Sequence, residues 1–162
     1  MNLSRKDKIR GSLIGGAIGD ALGYPVEFAS YSNIKSVFGE NGITRFVLNN
    51  NGVAEISDDT QMTLFTANGL LYGITRFCMR GIGSDLFNYV AIAYDEWLQT
   101  QMELPLEDEW HTCWIRNISA LNSRRAPGNT CLSALTALRE QKAVSNNSKG
   151  CGGIYQWSGD YL

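Results

Sequence analysis

A chain of 162 residues, 44 % of them hydrophobic, is long enough for one globular domain with a packed core and too apolar for a disordered segment. Sixteen acidic residues nearly balance fourteen basic ones, and the net charge of −2 comes without a basic stripe, so neither nucleic acid nor an anionic membrane surface is indicated as a partner. No apolar stretch approaches the roughly 20 residues of a membrane span, and residues 1–10 are charged where a signal peptide would turn apolar. A cytoplasmic chain is therefore expected. Cys78, Cys113, Cys131 and Cys151 form no CxxC pair, which argues against a zinc ribbon or redox dithiol and for buried or incidental thiols.

Ser4 with Asp7 three positions on resembles a capping box, and Ile9, Leu13, Ile14, Ala17, Ile18, Ala21 and Leu22 follow at helical spacing. The pattern predicts a first helix closed near Gly23 and Pro25. Gly11, Gly15, Gly19 and Gly23 recur on one face of it, each interior glycine costing about 1 kcal/mol against alanine. A bare strip of this kind suits close helix packing, with a surface kept clear beside a site as a compatible second role. A short helix Asn33 to Phe38 ending at Gly39, an extended piece Ile43 to Leu48, and a turn over Asn49 to Gly52 follow.

A second long helix is expected after residue 59, with Met62, Leu64, Phe65 and Leu71 as its apolar stripe. Ser84 is expected to cap a further helix from Asp85 to about Gln101, with Leu86, Val90, Ala93, Tyr94 and Trp97 inward. Pro105 and the acids after it mark a loop. Helices over His111 to Leu121 and Thr130 to Gln141 complete the pattern, the latter with Leu132, Leu135 and Leu138 apolar and Asn129 and Thr130 at its cap. The fold class is all-α. His111, the single histidine, has no Cys or Ser partner at a recognisable spacing, so the Ser-His-Asp and Cys-His readings fall with it.

Ser57, Asp58 and Asp59 stand directly before the amphipathic run Thr60 to Leu71, and two readings of them are open. Serine is a favoured N-cap and first-turn acids complement the helix dipole, which makes the triplet an ordinary helix start. On the triplet alone the cap is the preferred reading, but a hydroxyl and two carboxylates are also oxygen donors suited to Mg²⁺, Mn²⁺ or Ca²⁺ rather than to zinc or copper. The polar loop 146–153 contains Asn147, Ser148, Gly150, Cys151, Gly152 and Gly153 and could turn successive N–H groups toward an anion, although glycine-rich surface loops are common.

Three stretches together resemble the ADP-ribosylglycohydrolase family. They are Gly15-Gly16-Ala17-Ile18-Gly19-Asp20-Ala21-Leu22-Gly23-Tyr24-Pro25-Val26-Glu27-Phe28, then Ser57-Asp58-Asp59-Thr60-Gln61-Met62, and finally Arg124 to Thr130 combined with the Asn147 to Gly153 loop. The resemblance implies an all-helical domain that binds two Mg²⁺ or Mn²⁺ ions and hydrolyses the glycosidic bond between ADP-ribose and a modified protein or other acceptor. Ser57, Asp58 and Asp59 are then metal ligands, Glu27, Asp58 and Asp59 carry the catalytic acids, and Asn147, Ser148, Gly150, Cys151 and Gly152 hold the ADP-ribose.

Members of that family continue after the glycine loop with Met-Arg, further helices and a second acidic cluster of Asp-x-Asp-Ser/Thr type. Here residues 154–162 match nothing of that kind. Residues 1–153 are accordingly read as the N-terminal portion of one such domain, truncated or frame-shifted, with 154–162 as a non-matching tail and with impaired activity. Apolar faces left open would favour self-association. The competing readings are a non-catalytic ADP-ribose-binding or structural remnant, and a helical interaction module whose triplet is only a cap.

Overall fold

The computed structural model describes residues 4–83, 85–102 and 111–142. The chain divides into two compact units, residues 1–63 and 64–162. Five α-helices and three 3-10 turns make up the described regular structure: α1 (Arg5–Gly23), α2 (Tyr31–Phe38), α3 (Asp58–Arg80), α4 (Leu86–Gln101) and α5 (Asn129–Arg139). The all-α class holds among the described residues, where the one β-type contact is an isolated antiparallel bridge between Leu48 and Ala54.

The first unit begins as the sequence predicts. Ser4 Oγ accepts from Asp7 N at 3.2 Å and lies 2.6 Å from Asp7 Oδ2, which satisfies an N–H that the first turn of α1 would otherwise leave open. Pro25 sits inside the 3-10 turn Tyr24–Val26, where its lack of an N–H prevents α1 from continuing. Ser30 caps α2 by accepting from Asn33 N at 3.3 Å, and Gly39, at φ 84°, closes it. The helix starts two residues earlier than the periodicity suggests.

The expected extended piece over residues 43–48 does not become a strand. Asn49 instead gathers the chain, its Oδ1 accepting from Asn51 N at 2.9 Å and Val53 N at 3.1 Å. This Asx geometry folds the chain back after a single bridge, leaving no ladder to extend. A second correction concerns the glycine strip of α1. A Cβ built on Gly11, Gly15, Gly19 or Gly23 meets no atom within 4 Å, so the close packing expected there is not made among the described residues.

Close packing occurs instead in the second unit, at two other glycines four apart. A Cβ on Gly69 would come within 2.7 Å of the Tyr89 carbonyl oxygen, and one on Gly73 would run into the Tyr89 ring. Both lie on α3 and receive α4 against bare backbone, with Tyr72 meeting Tyr89 edge-on at 5.7 Å between ring centroids. Phe65, Ala93, Trp97, Leu98, Cys131, Ala134 and Leu135 are core residues of this unit. Of the expected apolar positions, Leu71, Leu86 and Leu138 are exposed, while Tyr89, outside the expected stripe, is buried.

Two expected boundaries also shift. Helix α4 starts at Leu86 and its cap is Asp85, which accepts from Phe87 N at 3.0 Å; the expected cap, Ser84, lies outside the described residues. Before α5 stands Gly128 with no side-chain cap, so Asn129 and Thr130 are the first helical residues rather than caps.

The helix expected over residues 111–121 is replaced by two 3-10 turns, Trp114–Asn117 and Ser119–Leu121. The cause is tertiary. Buried Glu96 of α4 accepts from Thr112 N and Oγ1, each at 2.6 Å, and from Cys113 N at 3.1 Å. Asn68 of α3 donates to the Thr112 carbonyl at 3.2 Å. The backbone groups that would start a helix are already satisfied by neighbouring side chains, so the segment wraps α4 instead of coiling on itself.

Candidate metal centre

The triplet occupies the entrance of α3 and makes a cap, as its residue types require. Ser57 Oγ accepts from Asp59 N at 3.1 Å. The Ser57 carbonyl is 3.4 Å from Gln61 N, which starts the helical ladder. Ser57 and Asp58 are buried, at 3 % and 7 % exposure, while Asp59 is exposed. The two aspartates therefore point apart, in keeping with the roughly 100° between successive residues on a helix.

A further carboxylate arrives from α1. Asp20 Oδ2 accepts from Ser57 N at 2.9 Å, from Thr60 N at 3.3 Å and from Thr60 Oγ1 in a short contact. Asp20 belongs to the first motif, yet sequence reasoning assigned it no role. The available signal was electrostatic: it is an acid in the last turn of α1, the end at which a helix dipole disfavours negative charge. Its partners are instead the backbone N–H groups at the start of α3.

Glu27 is exposed and follows the turn Tyr24–Val26, its N–H directed to the Tyr24 carbonyl at 3.3 Å. Among the described residues, no three acidic, histidine or cysteine side chains gather where they could hold a cation together. Asn147, Ser148, Gly150, Cys151 and Gly152 lie outside the described residues. The structure thus brings Asp20 and Thr60 to the triplet and does not gather Glu27, Asp58 and Asp59 into one cluster.

The donor set still fits a hard divalent cation by chemistry. Asp58 keeps a carboxylate away from water at the helix end that carries positive partial charge, and Asp59 offers a second one to solvent. All side-chain donors of the triplet are oxygen, matching Mg²⁺ or Mn²⁺.

Cys113 is unsuited to act as a nucleophile. Burial, reinforced by the nearby negative charge of Glu96, pushes the Cys113 thiol from its ordinary 9.0 up to about 12. The folded chain therefore retains a proton that the unfolded chain loses above about pH 9. This contribution to stability is present below that pH and is lost as pH rises toward 12, by up to about 1.4 kcal/mol per pH unit. Urea unfolding at pH 8, 9 and 10 is expected to show a steeper loss for the wild type than for Cys113→Ala; parallel pH profiles would contradict the assignment. Cys78 is exposed and Cys131 buried, and neither is in a disulfide among the described residues.

The described residues are thus helical, with an acidic, oxygen-only entrance to the long helix α3. A model of the ADP-ribosylglycohydrolase family matches residues 1–157. The chain belongs to the ADP-ribosylglycohydrolase family, and its function is of that general type. No characterised protein and no solved structure gave a significant match. No described helix is long and apolar enough to cross a membrane.

Proposed function

We propose that this chain is an Mg²⁺- or Mn²⁺-dependent hydrolase that removes ADP-ribose from a modified protein or other acceptor by cleaving an N- or O-glycosidic bond. The observation that carries this reading is the buried pair Ser57 and Asp58 at the α3 entrance, with Asp59 beside them facing solvent. Ser57, Asp58 and Asp59 would hold the cation. When bound, such a cation supplies positive charge that orients ribose hydroxyls and favours ionisation of water.

The chain's own groups account for the remaining requirements of glycoside hydrolysis. The transition state resembles an oxocarbenium ion, so negative charge near the anomeric carbon stabilises it, and Asp58 and Asp59 are the carboxylates for that task. Glu27, exposed and accessible to water, orients the attacking water, takes its proton as the new C–O bond forms, and passes that proton to the acceptor atom that leaves as the glycosidic bond breaks. The loop with Asn147, Ser148, Gly150, Cys151 and Gly152 holds the ADP-ribose phosphates or proximal ribose through backbone donors, which approach an anion closely where no side chain intervenes. Exposed Ile14 and Ile18 on α1 and Phe77 on α3 make self-association part of the proposal. A cytoplasmic setting is proposed with it.

A second reading has an observation in its favour. Among the described residues no three acidic, histidine or cysteine side chains gather where they could hold a cation together, which suits a family member that binds ADP-ribose without turning it over. The two readings separate in one assay: purified chain with arginine- or serine-linked ADP-ribosylated protein, following free ADP-ribose with Mg²⁺, with Mn²⁺ and with EDTA. Release that stops with EDTA and returns with the cation supports the hydrolase. ADP-ribose binding without release under any of these conditions supports the second reading.

A further inference from the structure

Asp20 directs its side-chain hydrogen bonds to the entrance of α3. It lies in the last turn of α1, three residues before that helix ends, where the helix dipole opposes a carboxylate. Its Oδ2 faces the opposite kind of helix terminus. There it accepts the Ser57 N–H at 2.9 Å, the Thr60 N–H at 3.3 Å and the Thr60 hydroxyl. These donors bracket Asp58 and Asp59 on both sides.

The arrangement divides the capping work of α3 between two side chains. Ser57 Oγ takes the Asp59 N–H, and Asp20 takes the Thr60 N–H together with the N–H of Ser57 itself. A serine cap alone fixes one or two donors of the first turn. With Asp20 added, the backbone is held at residues 57, 59 and 60. The directions in which Ser57, Asp58 and Asp59 leave that backbone are then set from α1, 37 residues upstream.

We propose that Asp20 is a positioning residue. It presets the α3 entrance so that the oxygen atoms of Ser57, Asp58 and Asp59 are oriented for a divalent cation before the cation arrives, and it touches neither cation nor substrate. The proposal rests on the reading of the triplet as a Mg²⁺ or Mn²⁺ site. Groups that orient metal ligands without binding the metal typically change affinity by about 10- to 100-fold when removed.

The test is Mn²⁺ binding to the whole chain, read from the free-ion electron paramagnetic resonance signal, for wild type, Asp20→Ala and Asp20→Asn. Amide hydrogen exchange at residues 57 and 60 is followed alongside without metal. Asp20→Ala is expected to remain helical by circular dichroism, to exchange faster at both amides and to bind Mn²⁺ about 10- to 100-fold more weakly. Asp20→Asn, which keeps one acceptor oxygen in the same place, is expected to recover part of both losses.

Unchanged Mn²⁺ affinity in a folded Asp20→Ala chain overturns the positioning role and leaves the metal site standing. If that variant does not fold, Asp20→Asn decides: weaker binding with faster exchange at residues 57 and 60 supports the proposal, and wild-type affinity overturns it. Absence of Mn²⁺ binding by the wild type overturns the metal site itself, and the positioning role falls with it.

Discussion

Replacing Glu96 with alanine is expected to destabilise the second unit by about 3–5 kcal/mol, the cost typical of removing one member of a buried charged cluster. Glu96 is 5 % exposed and holds the segment after residue 111 to α4 through Thr112 N, Thr112 Oγ1 and Cys113 N. Its ion pair with Arg116, at 3.5 Å, is the longest of these contacts, so most of the effect comes from the stranded N–H groups and from a guanidinium left buried. Glu96→Gln keeps acceptor capacity and is expected to lose less. Urea unfolding followed by circular dichroism checks both; a Glu96→Ala chain within 0.5 kcal/mol of wild type (roughly the limit for a neutral surface change) would show that this cluster does not anchor the segment.

Asp58→Ala is expected to have the largest functional effect. Removing residues that merely support a metal ligand costs about 10- to 100-fold, so loss of a proposed ligand should lower cation-dependent ADP-ribose release by at least about 100-fold. Asp59→Ala, which removes an exposed carboxylate, is expected to lower it less. Release rates at saturating Mg²⁺ for the two variants, with thermal melts to confirm folding, make the comparison. Equal effects would mean that the difference in burial between the two aspartates has no functional weight.

Local signals account for most of the helices. The Ser4 and Ser30 caps, Gly39 and Pro25 act within a few residues of themselves, so α1 and α2 begin or end near where those residues stand. The entrance of α3 was visible for the same reason, since Ser57 and the acids after it are helix-start residues whatever else they do. Long-range partners were not visible. Periodicity identifies a face of α4 but says nothing of Glu96 reaching residues 112 and 113, and that contact is what turns the expected helix over residues 111–121 into two 3-10 turns.

The glycines teach the same point from the other side. Two sets with a four-residue spacing occur, and the longer set, on α1, meets nothing within 4 Å, whereas Gly69 and Gly73 accept the close approach of Tyr89. Spacing tells which glycines share a face, and only the partner decides whether that face is used. Asp20 was legible in principle, because an acid in the last turn of a helix is out of place electrostatically. Its target could not be read from sequence, since the donors lie 37 and 40 residues away.

Titration calorimetry tests most directly whether the α3 entrance, Ser57 to Asp59, is a cation site serving ADP-ribose chemistry. Mg²⁺ is titrated into the wild-type chain and into Asp58→Ala, followed in each case by ADP-ribose. The expected result is a saturable Mg²⁺ isotherm for the wild type that Asp58→Ala abolishes, with ADP-ribose binding more tightly once the cation is present. A folded wild-type chain that takes up neither Mg²⁺ nor ADP-ribose would contradict the claim and leave Ser57, Asp58 and Asp59 as a helix cap alone.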